Sequence, residues 1–210
     1  MENIRTMKKG KFIVFEGLDG SGQSTQIKLL ENYLKNKNYK VHITAEPTNN
    51  IIGGLIRGLL THQWSLNNTG KQLLYCADRA HHLESEVIPA LEKGNIVISS
   101  RYFYSTIAYG SLNNDIKWLE TINEKFPQPD IAFYIKVNPK ECIKRITGSR
   151  FRKEFFEKEK ILSKVNDAYV KISQNKKYKN FHVINGEQTI QKVFEDIKKI
   201  IDKMAQSTKC

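Results

Sequence analysis

Residues 17–25 read Gly-Leu-Asp-Gly-Ser-Gly-Gln-Ser-Thr, and this segment constrains the fold more than any other. Before it runs Lys11-Phe-Ile-Val-Phe-Glu16, with the bulk and β-branching of a buried strand. After it, Ile27, Leu30 and Leu34 recur at helical spacing. Strand, glycine turn and helix start together make a phosphate cradle of the G-x-x-x-x-G-K-S type. Gly17, Gly20 and Gly22 allow a tight turn whose N–H groups point inward, and the helix start adds partial positive charge. The candidate phosphate-binding residues are therefore Gly17, Asp19, Gly20, Ser21, Gly22, Gln23, Ser24 and Thr25, with the Ser24 hydroxyl suited to a magnesium ion. Gln23 stands where the motif has lysine, so one full positive charge must come from elsewhere.

The rest of the chain alternates strand-like and helix-like segments. Strands are expected at 39–45, 95–99, 131–137 and 180–184. Leu73, Ala77, Ala80, Leu83, Val87 and Leu91 predict one apolar face of a helix within 68–93, stopped by Gly94. Ile190, Val193, Phe194, Ile197, Ile201 and Met204 predict a final helix. Five short strands separated by helices imply an α/β fold, a three-layer sandwich whose parallel sheet is covered on both faces. Ligands then sit beyond the carboxyl ends of the strands. Glu46-Pro47-Thr48 follows strand two there, and Arg101, a cation suited to gripping phosphate, follows strand three. Tyr75 and Arg79, four apart on a helix, could stack on and hydrogen-bond a base; the plainer reading is core packing for Tyr75 and a surface ion pair for Arg79.

The 210 residues carry a net charge of +12. The basic residues are spread along the chain and do not alternate with aromatics, so the charge reads as solubility and attraction of phosphates, with nucleic acid the minor alternative. No apolar run approaches the ~20 residues of a membrane helix. Cys76, Cys142 and Cys210 make neither a disulfide framework nor a metal pair, and a reducing cytoplasm is expected.

Taken in order, Phe-Glu-Gly-Leu-Asp-Gly-Ser-Gly, Glu46-Pro47, Tyr75-x-x-x-Arg79, Arg101-Tyr-x-x-Ser105-x-x-Ala108-Tyr109, Pro129-Asp130 and a short arginine-bearing segment resemble the thymidylate kinase family over nearly the whole chain. The resemblance implies phosphorylation of dTMP to dTDP with ATP and Mg2+ by a homodimer, each chain one domain with a lid at about 147–154. It implies that Asp19 accepts from the deoxyribose 3′-hydroxyl, Tyr75 stacks on thymine and Arg79 donates to a thymine carbonyl. Arg101 would hold the acceptor phosphate, with Glu46, Pro47, Ser105 and Thr106 lining the substrate site. Tyr109 would crowd the 2′ position. Arg150, with Arg152, would be the lid arginine on the transferring phosphoryl group. The chain departs from the family at Gln23, at Ala45, where an arginine is common, and at Ser100, in place of an aspartate that helps to place magnesium. Two alternatives stay open: a kinase for another deoxynucleoside monophosphate, and a nucleotide-binding protein with weakened catalysis.

Overall fold

A computed structural model describes residues 10–147 and 154–207. The sheet has five strands in the order β2-β3-β1-β4-β5. These are β1 Lys11–Gly17, β2 Val41–Ala45, β3 Ile96–Ser100, β4 Ile131–Lys136 and β5 Phe181–Asn185, and every pairing is parallel. Strand β1 lies at the centre, and its Ile13, Val14 and Phe15 are inaccessible to solvent. An unbroken apolar run is the signature of a strand covered on both faces. All five strand expectations hold, to within two residues at each end.

The helices are α1 Gln23–Asn36, α2 Ile51–Leu60, α3 Asn68–His82, α4 Ile88–Glu92, α5 Phe103–Gly110, α6 Ile116–Asn123, α7 Pro139–Thr147, α8 Glu154–Gln174 and α9 Ile190–Ser207. Helix α1 packs on α9, and α5 on α8. Between α3 and α4 the chain continues through a π turn, Leu83–Val87. Pro89 lies just beyond it; a proline lacks the N–H that an α-helix needs, and a widened turn accommodates the loss.

The expected apolar face of α3 is overturned in part. Leu73, Ala77 and Ala80 are exposed, whereas Asp78, Arg79 and His82 are buried. Burial goes to the polar face because each of these groups finds a partner there. Asp78 accepts from the Thr48 backbone N–H at 2.8 Å and from its hydroxyl at 2.5 Å. This clamps the Glu46-Pro47-Thr48 turn against α3. In α9, Ile190 is likewise exposed, while Val193, Phe194, Ile197 and Ile201 are buried.

The same turn receives the start of α2. Asn50 caps that helix by accepting from the Gly53 N–H at 3.0 Å. A Cβ on Gly53 would lie 1.9 Å from the Thr48 carbonyl oxygen, but one on Gly54 would meet only an Arg57 nitrogen at 3.9 Å. Gly53→Ala is therefore expected to destabilise by about 1–3 kcal/mol, the usual cost of overpacking. Gly54→Ala is expected to be neutral or to stabilise by up to about 1 kcal/mol. Urea midpoints at unchanged slope measure both; equal midpoints for the two variants would remove the close approach as the cause.

Candidate active site

The phosphate loop runs from the end of β1 into α1. Gly20 and Gly22 have φ of 81° and 96°, left-handed values that favour glycine. At Gly20 a side chain is excluded twice, since its Cβ would also sit 2.5 Å from the Cys142 carbonyl oxygen of α7. The N-cap, Gly22, has no side chain to satisfy the first N–H groups of α1, which leaves an anion-binding helix start. The loop lines a cavity of about 290 Å3 with Leu18, Asp19, Ser21, Gln23, Ser24, Ser100 and Arg101. Ser24 and Thr25 are exposed. Ser24 and Ser100 also line a larger cavity of about 530 Å3, which runs past Ala45 and Pro47.

Gln23 folds back into the loop. Its Nε2 lies 3.4 Å from Ser21 Oγ and 3.5 Å from the Leu18 carbonyl oxygen. Its Oε1 is buried without a partner among the described residues. The amide thus covers the loop as a neutral donor and brings no charge to the phosphates. An unmatched buried acceptor costs about 1–3 kcal/mol.

The acceptor side is built on Arg101. Its φ of 72° is left-handed, a rare state for a residue with a side chain. From there its Nη2 reaches Asp19 Oδ1 at 2.6 Å, its Nη1 reaches Ser105 Oγ at 3.0 Å, and the guanidinium lies 5.3 Å from the centre of the Tyr109 ring. Tyr109 Oη is buried with no partner among the described residues. Burial raises the Tyr75 phenol above its ordinary pKa; Arg101 and Arg79 oppose that rise, while Tyr109 and Asp19 add to it. These five residues, drawn from the loop, α3, the turn after β3 and α5, are brought together.

Behind them lies Glu16, fully buried at the end of β1. Burial pushes its carboxyl up to about 7, against the opposing pull of the Ser105 hydrogen bond, the Arg101 charge and hydrogen bonds from Tyr169 and Tyr102.

Several expected site residues are also engaged within the protein. Arg79 forms no surface ion pair; it is 1% exposed and pairs with Glu46, itself 3% exposed. Its Nε and Nη2 donate to Glu46 Oε2 at 3.0 and 2.7 Å, Nη1 to Asn123 at 2.5 Å and Nη2 to Thr106 at 3.0 Å. Those bonds use four of the five guanidinium N–H donors. Glu46 also meets His82 Nδ1 at 3.1 Å. Glu46 and Thr106 therefore support Arg79 from within the protein, where direct substrate contact was expected. The Ser105 hydroxyl is likewise taken up by Glu16 and Arg101. Arg150 and Arg152, with the rest of 148–153, lie outside the described residues. The sequence reading missed Glu16, Asp78, His82, Asn123 and Tyr169. For Glu16 a signal existed: a lone acid closing an apolar strand just before the loop.

Among the described residues no group of three or more His, Cys, Asp or Glu side chains could hold a metal. The hydroxyls of Ser24 and Ser100 on one cavity suit a magnesium ion that keeps phosphate and water ligands.

The family model described as Thymidylate kinase matches residues 15–197. The "Thymidylate kinase" of Thermosipho africanus is 38% identical over 202 residues, spanning 93% of this chain and 100% of its own. The "Probable thymidylate kinase" of Thermococcus gammatolerans is 34% identical over 202 residues, spanning 92% and 96%. The crystal structure of the thymidylate kinase from Ehrlichia chaffeensis superposes with a TM-score of 0.71 at 29% identity, over 92% of this chain and 98% of that one. The chain belongs to the thymidylate kinase family.

Proposed function

We propose that the protein phosphorylates dTMP to dTDP with ATP, by direct in-line transfer at the mouth of the phosphate loop. The observation that carries this reading is the Asp19–Arg101 pair at 2.6 Å, which ties the loop to the acceptor-side cation in one cleft. Family membership supports the same chemistry. An oxygen of the dTMP phosphate attacks the γ-phosphorus of ATP as the bond to the β-bridging oxygen breaks, and ADP leaves. Such transfer asks the protein for position and charge neutralisation rather than covalent chemistry. The loop N–H groups and the start of α1 hold the donor phosphates. Arg101 holds the acceptor phosphate and Asp19 the 3′-hydroxyl. Tyr75 packs on thymine, and the remaining N–H of Arg79 reads a base carbonyl. Ser24, beside Ser100, would hold Mg2+, which would supply positive charge to the donor phosphates. Residues 147–154 act as a lid of the single domain, with Arg150 and Arg152 bringing the charge that Gln23 lacks.

The second reading, a nucleotide-binding protein with weakened catalysis, is favoured by the neutral amide of Gln23. We also infer a cytoplasmic protein that acts on small nucleotides rather than on nucleic acid. Among the described residues no helix is long and apolar enough to cross a membrane. A second copy of the chain is the proposed cover for the apolar side chains that α2 and α3 leave in solvent, Ile51 at 84%, Leu55 at 46% and Leu73 at 50% exposure.

Coupled ADP release with each nucleoside monophosphate, at saturating ATP and Mg2+, tests the assignment. Turnover with dTMP is expected. Turnover only with another monophosphate, or tight binding without turnover, selects one of the alternatives. Gln23→Lys is expected to change kcat by no more than about tenfold, or 1.4 kcal/mol. A gain of about a thousandfold would mark the site as crippled.

Tyr109→Ala is expected to admit the ribose form of the substrate while the preference for thymine over cytosine survives. The lost discrimination should be on the order of 1–3 kcal/mol. The ratio of kcat/KM for deoxy and ribo monophosphates measures it, and an unchanged ratio would make Tyr109 a packing residue only.

A further inference from the structure

We propose that Glu16 is a positioning residue: through Ser105 it sets the Arg101 guanidinium for the acceptor phosphate, and through Tyr169 it ties that setting to helix α8. The inference rests on reading Arg101 as the group that grips that phosphate.

Glu16, next to last in β1, is 0% exposed, and its polar contacts are all with the protein itself. A buried carboxylate persists only where its oxygens are satisfied. Here both are. Oε1 accepts from the backbone N–H of Tyr102 at 2.9 Å and of Ser105 at 3.3 Å. Oε2 accepts from Ser105 Oγ at 2.5 Å and from Tyr169 Oη at 2.8 Å. The two N–H groups lie at the start of α5, whose N-cap, Tyr102, makes no side-chain cap bond. Glu16 therefore acts as a cap supplied from β1, and the charge that it carries above about pH 7 lies at the positive end of that helix.

Arg101 sits just before the segment that Glu16 grips. Its own N–H donates to the Phe15 carbonyl oxygen at 2.8 Å, and the next N–H, of Tyr102, goes to Glu16. Adjacent residues of β1 thus pin successive N–H groups around a left-handed residue that would otherwise relax. The side chain is pinned as well. Ser105 Oγ gives its proton to Glu16 and offers its lone pairs to Arg101 Nη1 at 3.0 Å. The carboxylate thereby fixes which way the serine hydroxyl points, and the serine fixes one edge of the guanidinium. Tyr169 Oη lies 2.9 Å from the same serine oxygen, which brings α8, the helix that follows the lid segment, into the node.

Glu16→Gln keeps the size and an acceptor for the backbone N–H groups, but presents an N–H2 to the serine and tyrosine hydroxyls and removes the charge that the carboxylate holds near Arg101 above about pH 7. The expected result is a KM for dTMP raised at least tenfold, with KM for ATP within twofold of the parent. The same substitution in an Arg101→Ala background should add less than twofold, because the effect passes through Arg101. Urea unfolding checks that each variant is folded. If Glu16→Gln does not fold, Ser105→Ala, which keeps the carboxylate and the backbone bonds, is expected to give the same split. The inference is overturned if the KM for dTMP stays within twofold of the parent. It is also overturned if both KM values rise together, or if the loss persists in full without Arg101. If Arg101→Ala itself leaves the KM for dTMP unchanged, the reading of Arg101 has failed, and the positioning inference falls with it.

Discussion

Strand β1 has parallel partners on both sides, and the cleft depends on that constraint. A strand paired on both sides and buried on both faces is held along its length, and here its end carries two working parts at successive residues. Glu16 turns back into the protein and grips the start of α5, while Gly17 opens the phosphate loop. Donor and acceptor machinery are therefore attached to one rigid rod. Their separation is set by hydrogen bonds between β1 and the turn after β3.

Charge around this rod is arranged in two buried layers. One is the Glu16 carboxyl with the hydroxyls of Ser105 and Tyr169. The other is the Glu46–Arg79 pair with His82, Asn123 and Thr106. A buried ion pair gives little net stability relative to apolar packing, because desolvation cancels most of the attraction. Its contribution is geometric. Each partner has few orientations that satisfy the other, so the side chains that face the cleft are fixed before any ligand arrives.

Much of this was legible in the sequence, and the failures have physical causes. The strands were readable because uninterrupted apolar runs such as Phe12–Phe15 have few other uses in a chain of this size. The phosphate loop was readable because left-handed glycines at fixed spacing leave a strong mark. Helix α2 was not assigned: Gly53 and Gly54 argue against a helix on propensity, and only the close approach to Thr48 explains the first of them. The orientation of α3 came out reversed at Leu73, Ala77 and Ala80 because periodicity reports which residues share a face but not which face turns inward. Glu16 and Tyr169 are 153 residues apart, and no local pattern joins them.

The burial of Arg79 bears on how this protein could change over time. A side chain that reads a ligand from an exposed loop can be exchanged without harm to the scaffold. Arg79 is held by groups from β2's exit, α5 and α6, so on the proposed reading the specificity element is also an element of the core. Replacing it leaves the buried Glu46 carboxylate without its guanidinium partner, and a lost partner of that kind costs about 3–5 kcal/mol, a large share of a typical domain's stability. Drift toward another base thus meets a folding barrier before it meets a functional one. Substrate identity is protected here by the same interactions that keep the chain folded.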